Sequence, residues 1–267
     1  MQPPFFVIGA PRSGTSYLVE VLNRHPDVVM TNETRVMTFL YRALHRWSKD
    51  RMALMTERTL FLSTFRRHVP DIVRDFYRQL GATETSRWGD KFPHYADSKT
   101  DPGLLDLIAE AFPRCQFLHI TRDGRDVVSS LLEKGWVDLD EACDVWNRHV
   151  VASQEIGLQV GADRFHELRY EDLVHDGPAS VAEIFEFLRL PNSADVDAFL
   201  NEQARSRTPF SGATTRTEVI GESGWRERLT PEQAMQVDER LRPTLSATGY
   251  LSSAGEPQVA ATSRDFR

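Results

Sequence analysis

The stretch Phe5-Phe6-Val7-Ile8-Gly9-Ala10-Pro11-Arg12-Ser13-Gly14-Thr15-Ser16-Tyr17-Leu18 decides how the rest of the chain is read. A short apolar run leads into a turn of small residues and then an amphipathic continuation, the pattern of a buried strand feeding a loop and a helix. Gly9 and Gly14 keep the spacing of the two glycines in a phosphate-binding loop. In such loops backbone N–H groups converge on an anion and the following helix presents its positive dipole end. A P-loop triphosphatase places a lysine after the second glycine. Here Thr15 and then Ser16 follow it, and the strong cation of the loop is Arg12, ahead of that glycine. The loop therefore has the shape of an anion site without triphosphatase chemistry.

Outward from the loop the chain keeps a strand–helix rhythm. Ser16 to Arg24 reads as a helix that ends before Pro26, because a residue ahead of proline avoids the α region. Val28-Val29-Met30 reads as a short buried strand, with Glu33 and Arg35 just past its end. Arg87 to His94 reads as a strand closing in a Pro93-directed turn, which places Lys91 near its end. Gln116 to Thr121 is a further buried strand, and Arg122 stands where it turns into a helix that carries Ser130 and reaches Lys134. Open parallel sheets bind ligands at the carboxyl ends of their strands, so these polar groups fall on one edge. Asp123 could be taken for the magnesium aspartate of a triphosphatase, but its neighbours Arg122 and Arg125 point to an anion instead. Phe165 to Leu173 reads as a last strand and its exit.

The remaining segments are mostly helical. Val36 to Gln79 reads as two or three helices with breaks near Asp50, His68 and Pro70. Leu104–Phe112, Glu141–Val160, Val181–Leu188 and Ala194–Asn201 carry helical periodicity, with His149 on the inner face of the second as a packing residue. Arg205 to Glu222, rich in Ser, Thr, Gly and Arg, reads as a lid over the ligand. Thr230 and Pro231 open the last helix, and residues from Ser252 onward read as a tail. The expected organisation is one domain over 1–251, an α/β fold built on a P-loop-like parallel β-sheet flanked by helices, followed by a flexible tail over 252–267.

A formal net charge of -7 argues against nucleic acid as a partner, and the cations must act locally. The two cysteines, Cys115 and Cys143, lack metal-ligand spacing and fit a reducing compartment. The first strand starts too early to leave room for a leader, and no apolar run approaches the ~20 residues needed to span a bilayer. The expectation is a soluble, cytoplasmic protein with no membrane partner. The sequence leaves a homodimer open.

Taken together, these residues resemble the PAPS-dependent sulfotransferases, and among them the tyrosylprotein sulfotransferase-like branch. The match runs from Phe5 to about Leu229. Pro11-Arg12-Ser13-Gly14-Thr15-Ser16 matches the phosphosulfate loop, and Arg122 with Ser130 matches the 3′-phosphate motif. Lys134 matches a second cation near that phosphate, and Tyr170-Glu171-Asp172-Leu173 matches a segment whose tyrosine touches the cofactor. Glu33-Thr34-Arg35 matches the tyrosine branch, in which the acid is the catalytic base. The resemblance implies sulfuryl transfer from PAPS to an acceptor hydroxyl, leaving PAP and requiring no metal. It implies catalytic roles for Glu33 as base, Lys91 at the leaving oxygen and Arg12 at the phosphosulfate. Arg12, Ser13, Gly14, Thr15, Ser16, Arg122, Ser130, Lys134 and Tyr170 are the implied cofactor contacts. The acceptor that the resemblance implies is a small phenol, alcohol or sugar, or a peptidyl tyrosine. Where the family has a lysine before the tryptophan of its lid, this chain has Gly224, with Arg226 and Arg228 as substitutes. Two other readings compete: a P-loop kinase acting on a small hydroxyl, opposed by Thr15, and a non-catalytic nucleotide-binding module, opposed by Glu33 and Lys91.

Overall fold

The first strand, β1 (Phe5–Ile8), is buried along its whole length. Its side chains alternate between two cores, Phe6 and Ile8 in one and Phe5 and Val7 in the other, so both faces of the sheet are covered. The computed structural model describes residues 1–48, 55–206 and 224–251. Four more strands complete the sheet: β2 (Val28–Asn32), β3 (Arg87–Lys91), β4 (Gln116–Thr121) and β5 (Phe165–Arg169). Their order is β2-β3-β1-β4-β5, and every pairing is parallel. The chain leaves β1 toward one side of the sheet and leaves β4 toward the other. The crevice above the ends of β1 and β4 is therefore the topological switch point, the place where such sheets take their ligands.

The helices follow in chain order as α1 (Thr15–Leu22), α2 (Val36–Ser48), α3 (Met55–Gln79), α4 (Leu104–Ala111), α5 (Gly124–Glu133), α6 (Leu139–Val160), α7 (Tyr170–His175), α8 (Gly177–Leu188), α9 (Ala194–Ser206), α10 (Trp225–Arg228) and α11 (Pro231–Ala247). Residues of α2, α3 and α4 pack on the Phe6 and Ile8 face, and those of α1, α8 and α9 on the other. A third cluster joins α5, α6, α10 and α11 around Trp146, Val127 and Leu241. The Thr230 hydroxyl accepts from Gln233 N–H while the Gln233 side chain caps Thr230 N–H, with Pro231 in the first turn, so the last helix starts where expected.

Two expectations are corrected. The helix breaks near His68 and Pro70 do not occur, because α3 runs through both. Pro70 forfeits one ladder bond, but Val69, Val73 and Tyr77 are buried beside it, and that packing holds the helix together. The exit of β5 is helical from Tyr170. The lid cannot begin at Arg205, since α9 continues to Ser206. The remainder of the expected lid, the break near Asp50 and the tail from Ser252 lie outside the described residues.

Candidate active site

Register sets the site. Val7 of β1 pairs with Lys91, and Asn32 of β2 pairs with Lys91 as well, so Lys91 lies beside the entry to the loop and Glu33 follows one step beyond it. Lys91 Nζ donates to Glu33 Oε1 at 2.7 Å, and Glu33 N–H donates to the Lys91 carbonyl at 2.7 Å. The lysine is 1% exposed and the glutamate side chain 41%, so the pair has one end in the core and one in solvent.

The turn carrying Glu33 is strained and pinned. Glu33 (φ 64) and Arg35 (φ 59) occupy the left-handed region, which disfavours side-chain-bearing residues. Asp90, fully buried next to Lys91, holds that turn from below. Its Oδ1 accepts from the Thr31 hydroxyl at 2.6 Å and from Thr34 N–H at 3.4 Å, and its Oδ2 accepts from the Tyr95 hydroxyl at 2.6 Å. Burial raises the Asp90 pKa while these donors oppose the rise. The sequence reading missed this residue, since an acid inside a strand carries no spacing signal. The Arg35 guanidinium lies over the Phe92 ring at 5.1 Å.

The loop after β1 is the other half. Arg12 (φ 73) and Gly14 (φ 87) are both left-handed. A Cβ on Gly14 would stand 2.3 Å from the Tyr170 ring, and one on Gly9 2.3 Å from the Ile120 carbonyl oxygen, so each glycine permits a close approach. Thr15 and Ser16 open α1. The Ser13 hydroxyl is buried and lacks a hydrogen-bond partner among the described residues. A donor orphaned inside a glycine loop at a helix N-terminus fits an oxyanion.

Hydrogen bonds join the two anion motifs. Arg12 Nε donates to the buried Ser130 hydroxyl at 2.9 Å, and Arg122 donates to the Arg12 carbonyl at 3.2 Å. Arg122 also lies over the Tyr170 ring at 4.7 Å, while Trp146 Nε1 donates to its carbonyl at 3.1 Å. The left-handed turn at Arg12 thus directs its guanidinium to Ser130. Lys134 stands as the C-cap of α5. Asp123 caps the start of α5 and binds Arg125 through both oxygens at 2.7 to 3.2 Å, which commits it to an internal ion pair.

The C-terminal segment is clipped to the same helix. Asp126 Oδ1 accepts from Gly224 N–H at 3.0 Å, Trp225 N–H at 2.9 Å and Arg228 at 3.2 Å. Burial raises the Asp126 pKa, and Arg122 and Arg228 oppose the rise. Of the two lysine substitutes, Arg228 is thus engaged with Asp126, and Arg226 lies over Trp225 at 4.4 Å. Glu171 accepts from Asp123 N–H at 3.0 Å and from the Tyr250 hydroxyl at 2.8 Å, another support that sequence spacing did not reveal.

Among the described residues one group has metal-ligand geometry: His94, Asp97 and His149, with donor atoms within 4.8 Å of one another. Asp97 already accepts from Arg148 at 2.9 Å and from the Thr100 hydroxyl at 2.7 Å. The adjacent guanidinium disfavours a further cation. His149 donates through Nδ1 to the Val145 carbonyl at 2.6 Å inside α6, in keeping with a packing role.

The profile of the Sulfotransferase family matches residues 3–195. The protein-tyrosine sulfotransferase of Drosophila melanogaster is 24% identical over 276 residues, covering 96% of this chain and 53% of its own length. Protein-tyrosine sulfotransferase 2 of Gallus gallus is 28% identical over 276 residues, covering 96% of this chain and 71% of its own. The chain thus spans about half the length of the fly relative. The sulfotransferase domain of the Synechococcus PCC 7002 olefin synthase has a TM-score of 0.60 at 21% identity, covering 90% of this chain and 94% of that one. A mouse sulfotransferase solved with PAP has a TM-score of 0.54 at 17% identity, covering 92% and 85%. Those structures share the fold. With the family profile extending from the strand before the anion loop to the start of α9, the chain belongs to the sulfotransferase family.

Proposed function

We propose that the protein transfers a sulfuryl group from PAPS to an acceptor hydroxyl, with an aryl hydroxyl of the tyrosine type as the acceptor it suits best. The observation that carries this reading is the Glu33–Lys91 pair at 2.7 Å, standing at the strand edge beside the anion loop. A carboxylate base and a cation for a leaving oxygen are the two groups that in-line transfer through a loose transition state needs beyond positioning. The names of the curated relatives support a tyrosyl acceptor. So does acidity: a carboxylate is better matched to a phenol, with a pKa of about 10, than to an aliphatic alcohol.

PAPS would supply the activated sulfuryl group. In this assignment the Ser13 hydroxyl and the loop N–H groups would hold the 5′-phosphosulfate, and Arg122, Ser130 and Lys134 would hold the 3′-phosphate. Arg12 bridges the two, since its guanidinium meets Ser130 from within the loop. Lys91 would be the cation available to a developing negative charge on the leaving oxygen, and Glu33, on the solvent side of the pair, would take the acceptor proton. Tyr170 packs against Gly14, and Arg226 replaces the missing lysine of the lid. None of these roles draws on a metal.

The test is an assay of sulfuryl transfer from PAPS to tyrosyl peptides, simple phenols and sugars, run beside Glu33→Gln. Phenolic acceptors should turn over fastest, and the variant should lose about 10²- to 10⁴-fold in turnover while retaining PAP. Near-normal turnover in the variant would remove Glu33 as the base.

A further inference from the structure

The opposite edge of the sheet carries a second concentration of positive charge. Arg87 opens β3 and Gln116 opens β4, and between them and the end of α8 lies a cavity of about 440 Å³. Arg87, Arg114, Arg164 and Arg189 line it, with Asp27 and Asp163 among its walls. Arg87 is 6% exposed. Its guanidinium donates to the neutral Gln116 Oε1 at 2.5 Å and lies 5.7 Å from the Phe5 ring centroid, and its Nε is buried without a partner.

Among the described residues, none of the four arginines forms an ion pair with a carboxylate, including Asp27 and Asp163. That is unusual for a guanidinium as deep as Arg87, because a desolvated cation ordinarily has an anion beside it. Burial and the like charge of Arg189 together pull Arg87 down to about 10. Arg189 closes α8 in the left-handed region at φ 57.

A simpler use for these cations would be to meet the carbonyls at the end of α8, where the helix dipole is negative. Those carbonyls have other donors. Arg189 N–H goes to Glu186, Leu190 N–H to Phe185 at 2.8 Å, and Gln116 Nε2 to Phe187 at 2.8 Å. Arg164 alone is spent on backbone, donating to the Cys115 carbonyl at 2.9 Å.

We propose that this cleft is an anion site for a small molecule bearing phosphoryl or sulfuryl groups, with Arg87 as its floor and Arg114 and Arg189 as its rim. The volume suits a ligand of pyrophosphate to mononucleotide size. Planar guanidinium forks are the donors that recognise such oxygens in pairs. Arg87 and Lys91 are the two ends of β3, so the cleft and the Glu33–Lys91 pair share one strand.

Inorganic pyrophosphate titrated calorimetrically into the full chain at fixed ionic strength tests the assignment, with Arg114→Ser/Arg189→Ser and Arg122→Ala run in parallel. The rim variant leaves Arg87 and its Gln116 contact in place, so the fold is kept. The wild type should show two classes of binding. The rim variant should weaken one at least tenfold and leave the Arg122-dependent class intact. Two classes unchanged in the rim variant, or a single class abolished by Arg122→Ala, would overturn the proposal.

Discussion

The two ends of β3 bury a cation each, and they treat it differently. At the carboxyl end Lys91 meets a carboxylate that is itself half in solvent, while at the amino end Arg87 meets a neutral amide. Among the described residues, three of the four side-chain-bearing positions in the left-handed region, Arg12, Glu33 and Arg35, lie at the carboxyl end, and the fourth, Arg189, lines the cleft at the amino end. A paired charge that can exchange partners, set on a strained turn and pinned from below by Asp90, is an arrangement poised for chemistry. A buried charge fixed to an amide is one that receives a ligand without changing partners. The same five-residue strand thus offers two kinds of positive site, distinguished by the acid that only one of them has.

Lys91→Met tests that distinction most severely. Turnover should fall by about 10²- to 10³-fold, the loss typical of removing one donor to a developing oxyanion, with the fold retained. A kinetic assay beside a denaturation curve reads both, and an equal loss of stability would make Lys91 a structural cation rather than a catalytic one. Next in size is an effect on stability from α6, behind the turn that follows Lys91. Burial pulls the His149 imidazole from the ordinary 6.5 down to about 4. The folded chain then binds fewer protons than the unfolded chain between those values. This contribution is present above pH 6.5 and is lost as pH falls toward 4, by about 3 kcal/mol in all. His149→Gln should flatten that part of the acid limb, measured by urea midpoints at pH 7 and pH 4.5.

Arg122→Ala comes third. PAP should bind about tenfold to a hundredfold more weakly, while adenosine 5′-phosphosulfate, which lacks the 3′-phosphate, should change little. Equal losses would mean that Arg122 acts through its bond to the Arg12 carbonyl and shapes the whole loop. The smallest effect belongs to the other end of the strand. Arg87→Gln removes a buried charge that has no carboxylate beside it along with its bond to Gln116, so stability should shift by only about 1 kcal/mol and turnover should hold. A large loss of turnover would show that the two ends of β3 act as one.

Most of the sheet could be read from the chain because its strands are short apolar runs ending in polar residues. Phe5–Ile8 and Gln116–Thr121 have no rival reading, and Val28-Val29-Met30 needed only two more residues to become β2. The positions of Glu33, Lys91, Arg122 and Tyr170 at strand ends followed from that. Their mutual contacts did not, because hydrogen bonds such as Arg12 to Ser130 join residues far apart in sequence. Asp90 and Asp126 escaped for the same reason, being acids whose donors lie on other elements. Pro70 misled because a local rule about proline gave way to three buried neighbours.

The strand order has a consequence for synthesis. β1 takes its neighbours from β3 and β4, with Phe5 beside Gly89 and Gln116. At about 5–20 residues per second the first of these follows Phe5 by roughly 4–17 s. Through that interval this apolar strand has no partner on either edge, and only helices, α1 on one face and α2 and α3 on the other, can cover it. Nascent chains in that window carry an open strand that any other nascent chain could pair with, so the organisation that puts the anion loop at the centre of the finished sheet leaves the same segment waiting on the ribosome.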